Sequence, residues 1–158
     1  MLTPNQLDHF NQQGYLVIQD FIKPQQRHAL MARAQQLIED FEPPIKRSVF
    51  TTDEQERTSD DYFLSSGNQT RFFFEEKAID SDGNFTVAKQ QSINKIGHGQ
   101  HEHDPVYKAT VTALDFNNIG QQLGLNKPRA VQSMHIFKQP GIGGEVGLHQ
   151  DSTFLYTQ

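Results

Sequence analysis

The chain has no cysteine, no concentration of basic charge and no long apolar run, and each absence removes a class of protein. Without thiols there is no disulfide framework, zinc ribbon, thiolate nucleophile or Fe–S ligation, so any metal must be held by nitrogen and oxygen. The 14 Lys and Arg against 19 Asp and Glu leave a formal charge of −5. That balance offers no electrostatic footprint for a phosphate backbone, and no nucleic-acid partner is expected. The apolar runs fall far short of the ~20 residues of a membrane span, and residues 1–10 lack the basic and apolar regions of a secretory signal. A soluble, cytoplasmic protein without a membrane partner is therefore expected. What is present suits one globular domain over residues 1–158: 35% hydrophobic residues, enough for a core, with a mean hydropathy of −0.67 that leaves a generous polar surface.

Helix signals dominate the first part of the chain. Thr3-Pro4-Asn5-Gln6 has the form of a capping box with proline at the first helical position, and Gly14 is placed to end that helix. Tyr15-Leu16-Val17-Ile18 reads as a short strand. Pro24 opens a second helix on which Leu30, Ala34, Leu37, Ile38 and Phe41 share a core face until Pro43-Pro44 stops it. Residues 43–61 are polar and read as a loop, in which the adjacent Asp60 and Asp61 are solvated. Arg71-Phe72-Phe73-Phe74-Glu75 and Phe85-Thr86-Val87 flank Asp82-Gly83-Asn84 turn chemistry and predict a β-hairpin, with the three phenylalanines in the core. Asp104-Pro105 begins a further helix, and Phe116, Ile119 and Leu123 a short one ended by Gly124. Residues 130–137 and 145–157 read as strands around the glycine-rich loop 140–144. Helices first and strands later give an α+β class, or a helix-flanked β-barrel.

Two histidine groups compete as metal ligands. His98, His101 and His103 lie close in sequence, but in an irregular segment just ahead of a helix cap, where histidine is also an ordinary polar residue. His149-Gln150-Asp151 is an H-x-D triplet. On a strand His149 and Asp151 point to the same side and can reach one ion at about 2.0–2.2 Å. Two such ligands are part of the two-His, one-carboxylate facial triad of non-haem Fe(II) oxygenases, although the triplet alone is a weak signal. The loop at Gly141, Gly143 and Gly144 has no following Lys-Ser/Thr and reads as a strand connection rather than a phosphate cradle.

The context of the triplet is more specific. Gln132-Ser133-Met134-His135-Ile136-Phe137-Lys138-Gln139-Pro140, Gly143-Gly144-Glu145-Val146 and His149-Gln150-Asp151-Ser152-Thr153-Phe154-Leu155-Tyr156-Thr157 closely resemble the phytanoyl-CoA dioxygenase family. So do Asp61-Tyr62-Phe63-Leu64-Ser65-Ser66-Gly67, Arg71 to Glu75, Ser92-Ile93-Asn94-Lys95-Ile96-Gly97-His98 and His103-Asp104-Pro105-Val106. The resemblance implies a double-stranded β-helix (jelly-roll or cupin-like) with flanking helices, an Fe(II) centre, 2-oxoglutarate as cosubstrate, O2, and hydroxylation of a small organic substrate. It implies His149 and Asp151 as catalytic iron ligands and Met134 as a residue of the 2-oxoglutarate pocket. A lysine that the family sets against the cosubstrate falls at Gln91 here, so either Lys89 or Lys95 takes its place or that contact is weakened. The family's third ligand, a distal His, and the Arg that clamps 2-oxoglutarate have no counterpart in Ser152 to Gln158. The chain is therefore expected to be the N-terminal portion of such a domain, lacking the distal β-helix strands. Its alternative is a truncated, non-catalytic fragment or interaction module, with open strand edges through which it self-associates.

Overall fold

A computed structural model of the chain describes residues 1–44, 49–50 and 61–150. The first helix, α1 (Pro4–Gln13), begins as its sequence dictates: the Thr3 hydroxyl accepts from the Gln6 amide and the Gln6 side chain accepts from the Thr3 amide. Gly14 closes it in the left-handed region, at φ 78°. Residues 15–18 do not form the expected strand. Among the described residues no strand pairs with them, and Tyr15 and Val17 remain exposed, so their β-propensity goes unused.

Helix α2 (Pro24–Asp40) supplies the core face predicted for it. Ala34 and Ile38 are buried, and Leu37 and Phe41 pack around them. At its C-terminal end the Lys89 ammonium donates to the carbonyls of Glu39 (2.9 Å) and Phe41 (3.0 Å), satisfying acceptors that a helix end leaves open. Within the expected loop β1 (Val49–Phe50) pairs with the sheet, and from its last residue α3 (Asp61–Leu64) forms one helical turn. The remaining calls on 45–48 and 51–60 lie outside the described residues.

Strand β2 (Thr70–Glu75) is central, lying parallel to β1 and antiparallel to β3 (Ile93–His98). The expected hairpin partner, residues 85–87, is not a strand. A 3-10 turn at Glu76–Ala78 takes the chain out of the sheet, and the Asp80 carboxylate accepts from the Asp82 and Asn84 amides to build the next turn. Phe85 keeps a single bridge to Ile79 and lays its ring 5.4 Å from that of Phe74. One-turn helices α4 (Lys89–Ser92) and α5 (Gln100–His103) bracket β3. Helices α6 (Pro105–Ala113) and α7 (Phe116–Gln122) follow, and β4 (Ser133–Ile136) completes the sheet order β1-β2-β3-β4. The fold is α+β. Glu145 to Gln150, the described part of the last expected strand, is not in a strand. Among the described residues, no helix is long and apolar enough to cross a membrane.

Alternation along the strands gives the sheet two different faces. Phe72, Phe74, Ile93 and Ile96 join Ala34 and Ile38 in the core, with the Phe41 ring stacked on Phe72 at 3.9 Å. On that side His135 also meets the Tyr107 hydroxyl of α6 at 2.8 Å. The opposite face carries Arg71, Phe73 and Glu75 of β2. Cross-strand pairing puts Lys95 opposite Phe73 and Ile136, and Gly97 opposite Arg71 and Met134.

Candidate active site

The second sheet face is where the candidate residues gather. Met134 is 41% exposed, and its Cγ lies 3.5 Å from where a Cβ on Gly97 would be, so the missing side chain at Gly97 is part of what accommodates it. Lys95, one pair along, is buried, with its ammonium 5.1 Å from the Phe73 ring centroid and 5.4 Å from that of Phe63 on α3. His135 faces the other way, as period two requires. Gln91 stands exposed on the single turn α4, away from this strand pairing, and Lys89 is engaged with the end of α2. Of the three positions considered for a cosubstrate lysine, only Lys95 shares the face of Met134.

Beside Met134 runs an open, mainly apolar groove of about 820 Å3, lined among others by Val111, Leu114, Phe116, Leu125 and Arg129. Beyond β4 the chain turns through 139–144 and is fastened there to β2. The buried Glu75 carboxylate accepts from the Gly144 amide at 3.0 Å, and the Lys138 ammonium donates to the Gly144 carbonyl at 3.3 Å. His149 follows on an exposed segment just after a bend. Its Nδ1 lies 2.8 Å from the Gly147 carbonyl, which can only accept, so Nδ1 is the donor of that bond. Asp151 lies outside the described residues.

The rival histidine group is taken apart by the fold. His98 is buried with Nδ1 2.8 Å from Ser66 Oγ, and burial, aided by the positive Lys95, pushes its pKa down to about 4. His101 bonds the Ser133 hydroxyl through both its amide (3.1 Å) and Nδ1 (3.0 Å), which ties α5 to β4, while His103 is exposed. Among the described residues, no three His, Cys, Asp or Glu side chains come together to hold a metal. Each buried imidazole already has a hydroxyl partner, which is why nearness in sequence does not become nearness in space. Sequence reasoning missed Glu75 and the groove. The available signal for the former was an acid directly following three phenylalanines read as core, where carboxylates are rare.

Comparison with known proteins defines the class. The family signature Phytanoyl-CoA dioxygenase (PhyH) matches residues 10–158. A protein of Arabidopsis thaliana named Phytanoyl-CoA dioxygenase is 47% identical over 156 residues, 99% of this chain and 55% of that protein. Phytanoyl-CoA dioxygenase domain-containing protein 1 of Danio rerio is 44% identical over 163 residues, and that of Bos taurus 43% over 162; in both cases 56% of the relative is covered. The chain belongs to the phytanoyl-CoA dioxygenase family, a family of dioxygenases. It spans about half the length of the curated relatives it matches.

Proposed function

We propose that this chain supplies the cosubstrate face and two of the iron ligands of an Fe(II)- and 2-oxoglutarate-dependent dioxygenase that hydroxylates a small organic substrate. The observation that carries the reading is the meeting of Met134 and Lys95 on one sheet face, in a member of a dioxygenase family, with the loop that leads to His149 fastened to the same face through Glu75. The donor chemistry suits iron. The Nδ1–H to carbonyl bond of His149 is the arrangement that presents Nε2 to a metal, and Asp151 would add a carboxylate oxygen. Bound Fe(II), with 2-oxoglutarate and O2, would supply the oxidising power for C–H hydroxylation. Within this reading Lys95 offers a buried cation to a cosubstrate carboxylate, in surroundings where charge interactions are stronger than in water. Met134 packs against the cosubstrate, and the adjoining groove takes the apolar body of the substrate. Within this reading the four-stranded sheet would be one portion of a double-stranded β-helix.

The activity is proposed for a protein of the relatives' length. The 158 residues alone, with two ligands of a three-ligand site, are expected to be non-catalytic. The test is release of CO2 from labelled 2-oxoglutarate with Fe(II) and ascorbate, using a protein in which this segment is followed by the relatives' remaining length. Turnover should be lost in His149→Ala and Asp151→Ala, whereas Lys95→Met should raise KM for 2-oxoglutarate at least tenfold and Gln91→Ala leave it unchanged. No CO2 release from the unaltered protein refutes the reading. A KM that responds to Gln91 and not to Lys95 refutes the assignment of the lysine.

A further inference from the structure

Glu75 is 2% exposed, yet its carboxylate accepts one hydrogen bond, from the Gly144 amide; among the described residues Oε1 has no partner and no ion pair includes the group. Burying a carboxylate is costly, and one left half-satisfied is costlier than an apolar side chain of the same size, so core packing gives no reason for an acid here. Its single contact does. The segment it grips is a tight turn in which the Gly143 amide donates to the Gln139 carbonyl at 2.9 Å, and a Cβ on Gly143 would lie 2.8 Å from that oxygen. The Gln139 side chain holds the start of the turn by donating to the Gln90 carbonyl at 3.2 Å. The far end is held by Glu75 through its bond from the Gly144 amide, and His149 comes five residues after Gly144.

We propose that Glu75 is a positioning residue: its carboxylate, at the end of β2 on the face shared with Lys95 and Met134, clamps the 139–144 turn and thereby sets the path on which His149 reaches the metal. The proposal rests on the reading of His149 as an iron ligand. Loss of a supporting contact of this kind typically weakens metal affinity 10–100-fold.

The experiment uses a protein in which this segment is followed by the relatives' remaining length, with Glu75→Met, which fills the same space without an acceptor, and Glu75→Gln, which keeps one. Amide hydrogen exchange is followed at Gly144 and, as a reference, at Ile96 in β3, and Co(II) is titrated as a spectroscopic probe. Glu75→Met should lose protection at Gly144 at least tenfold, keep it at Ile96, and bind Co(II) about tenfold more weakly; Glu75→Gln should restore both to within about threefold. Unchanged protection at Gly144, equal loss at Ile96, failure of Glu75→Met to fold, or no rescue by glutamine would each overturn the clamp. If the unaltered protein of that length binds no Co(II), the metal reading of His149 falls and takes the proposed purpose with it. The exchange data then decide separately whether Glu75 holds the turn.

Discussion

At the scale of single residues, His98 shows how the same imidazole chemistry serves structure rather than ligation. Its Nδ1 is 2.8 Å from Ser66 Oγ, and that hydroxyl also donates to the Phe63 carbonyl at 2.5 Å, so the proton of the imidazole–hydroxyl bond comes from the ring. With Nδ1 donating in a buried site beside Lys95, a second proton on the ring is disfavoured, which is the physical content of a pKa near 4. The folded state thus binds this proton less readily than the unfolded chain, whose histidine titrates near 6.5. Above pH 6.5 both states are neutral and the group has no effect on stability. As the pH falls from 6.5 towards 4, protonation favours the unfolded chain and stability is lost. His135, also held below the ordinary value by burial, acts in the same direction. Urea unfolding at pH 7 and pH 5 should show a loss of about 1–2 kcal/mol attributable to His98, toward the lower end where water screens the ring. In His98→Gln that share of the pH dependence should vanish. A pH profile identical to that of the unaltered chain would contradict the buried, neutral assignment.

At the scale of elements, the start of α6 is joined to α2 through one carboxylate. Asp104 Oδ1 caps the helix by accepting from the Val106 and Tyr107 amides, and Oδ2 accepts from Arg33 Nε of α2 at 2.7 Å, with the Asp104 side chain only 4% exposed. Asp104→Ala should cost about 2–4 kcal/mol, from the lost cap and from Arg33 left without its counter-charge. Asp104→Asn keeps a capping acceptor and should cost less, a difference that thermal denaturation of the two variants can measure. This start was legible in Asp104-Pro105, as the start of α1 was in Thr3 and Gln6, because a helix boundary is fixed by neighbours in sequence. Strand pairing is not fixed that way. Residues 85–87 have the composition of a strand, but β2 is flanked by β1 and β3, a choice made by the whole sheet. The candidate site divides along the same line. Met134 and His149 became candidates through the resemblance of the long blocks around them to the family, the triplet alone being weak. Proposing Lys95 over Gln91 needed the cross-strand register, and proposing a role for Glu75 needed a contact spanning 69 positions.

At the scale of the whole molecule, the sheet is shielded unequally. Its core face is covered by α2 and α6, while β4 is the last strand in the order and, among the described residues, pairs only with β3. Such an edge presents unpaired backbone groups, and here it comes with exposed apolar side chains: Met134 at 41%, Ile136 at 51% and, just before the strand, Val131 at 79%. Burying one such side chain contributes roughly 1.5–3 kcal/mol, so a few of them meeting across a pair of edges are enough to drive association at micromolar concentration. The 158-residue chain is therefore predicted to self-associate, with a weight-average mass that rises with concentration in sedimentation velocity. Val131→Lys places a charge beside the edge at a position that contacts water, so it should shift association to higher concentration without altering the circular dichroism spectrum. Ile136→Lys is a poorer test, because Ile136 lies directly opposite the buried Lys95 and a second ammonium there would strain the sheet itself. If the unaltered chain sediments as a monomer at every concentration, the edge is not the association surface that its exposure suggests. If Val131→Lys associates as strongly as the unaltered chain, the contact lies elsewhere on the molecule.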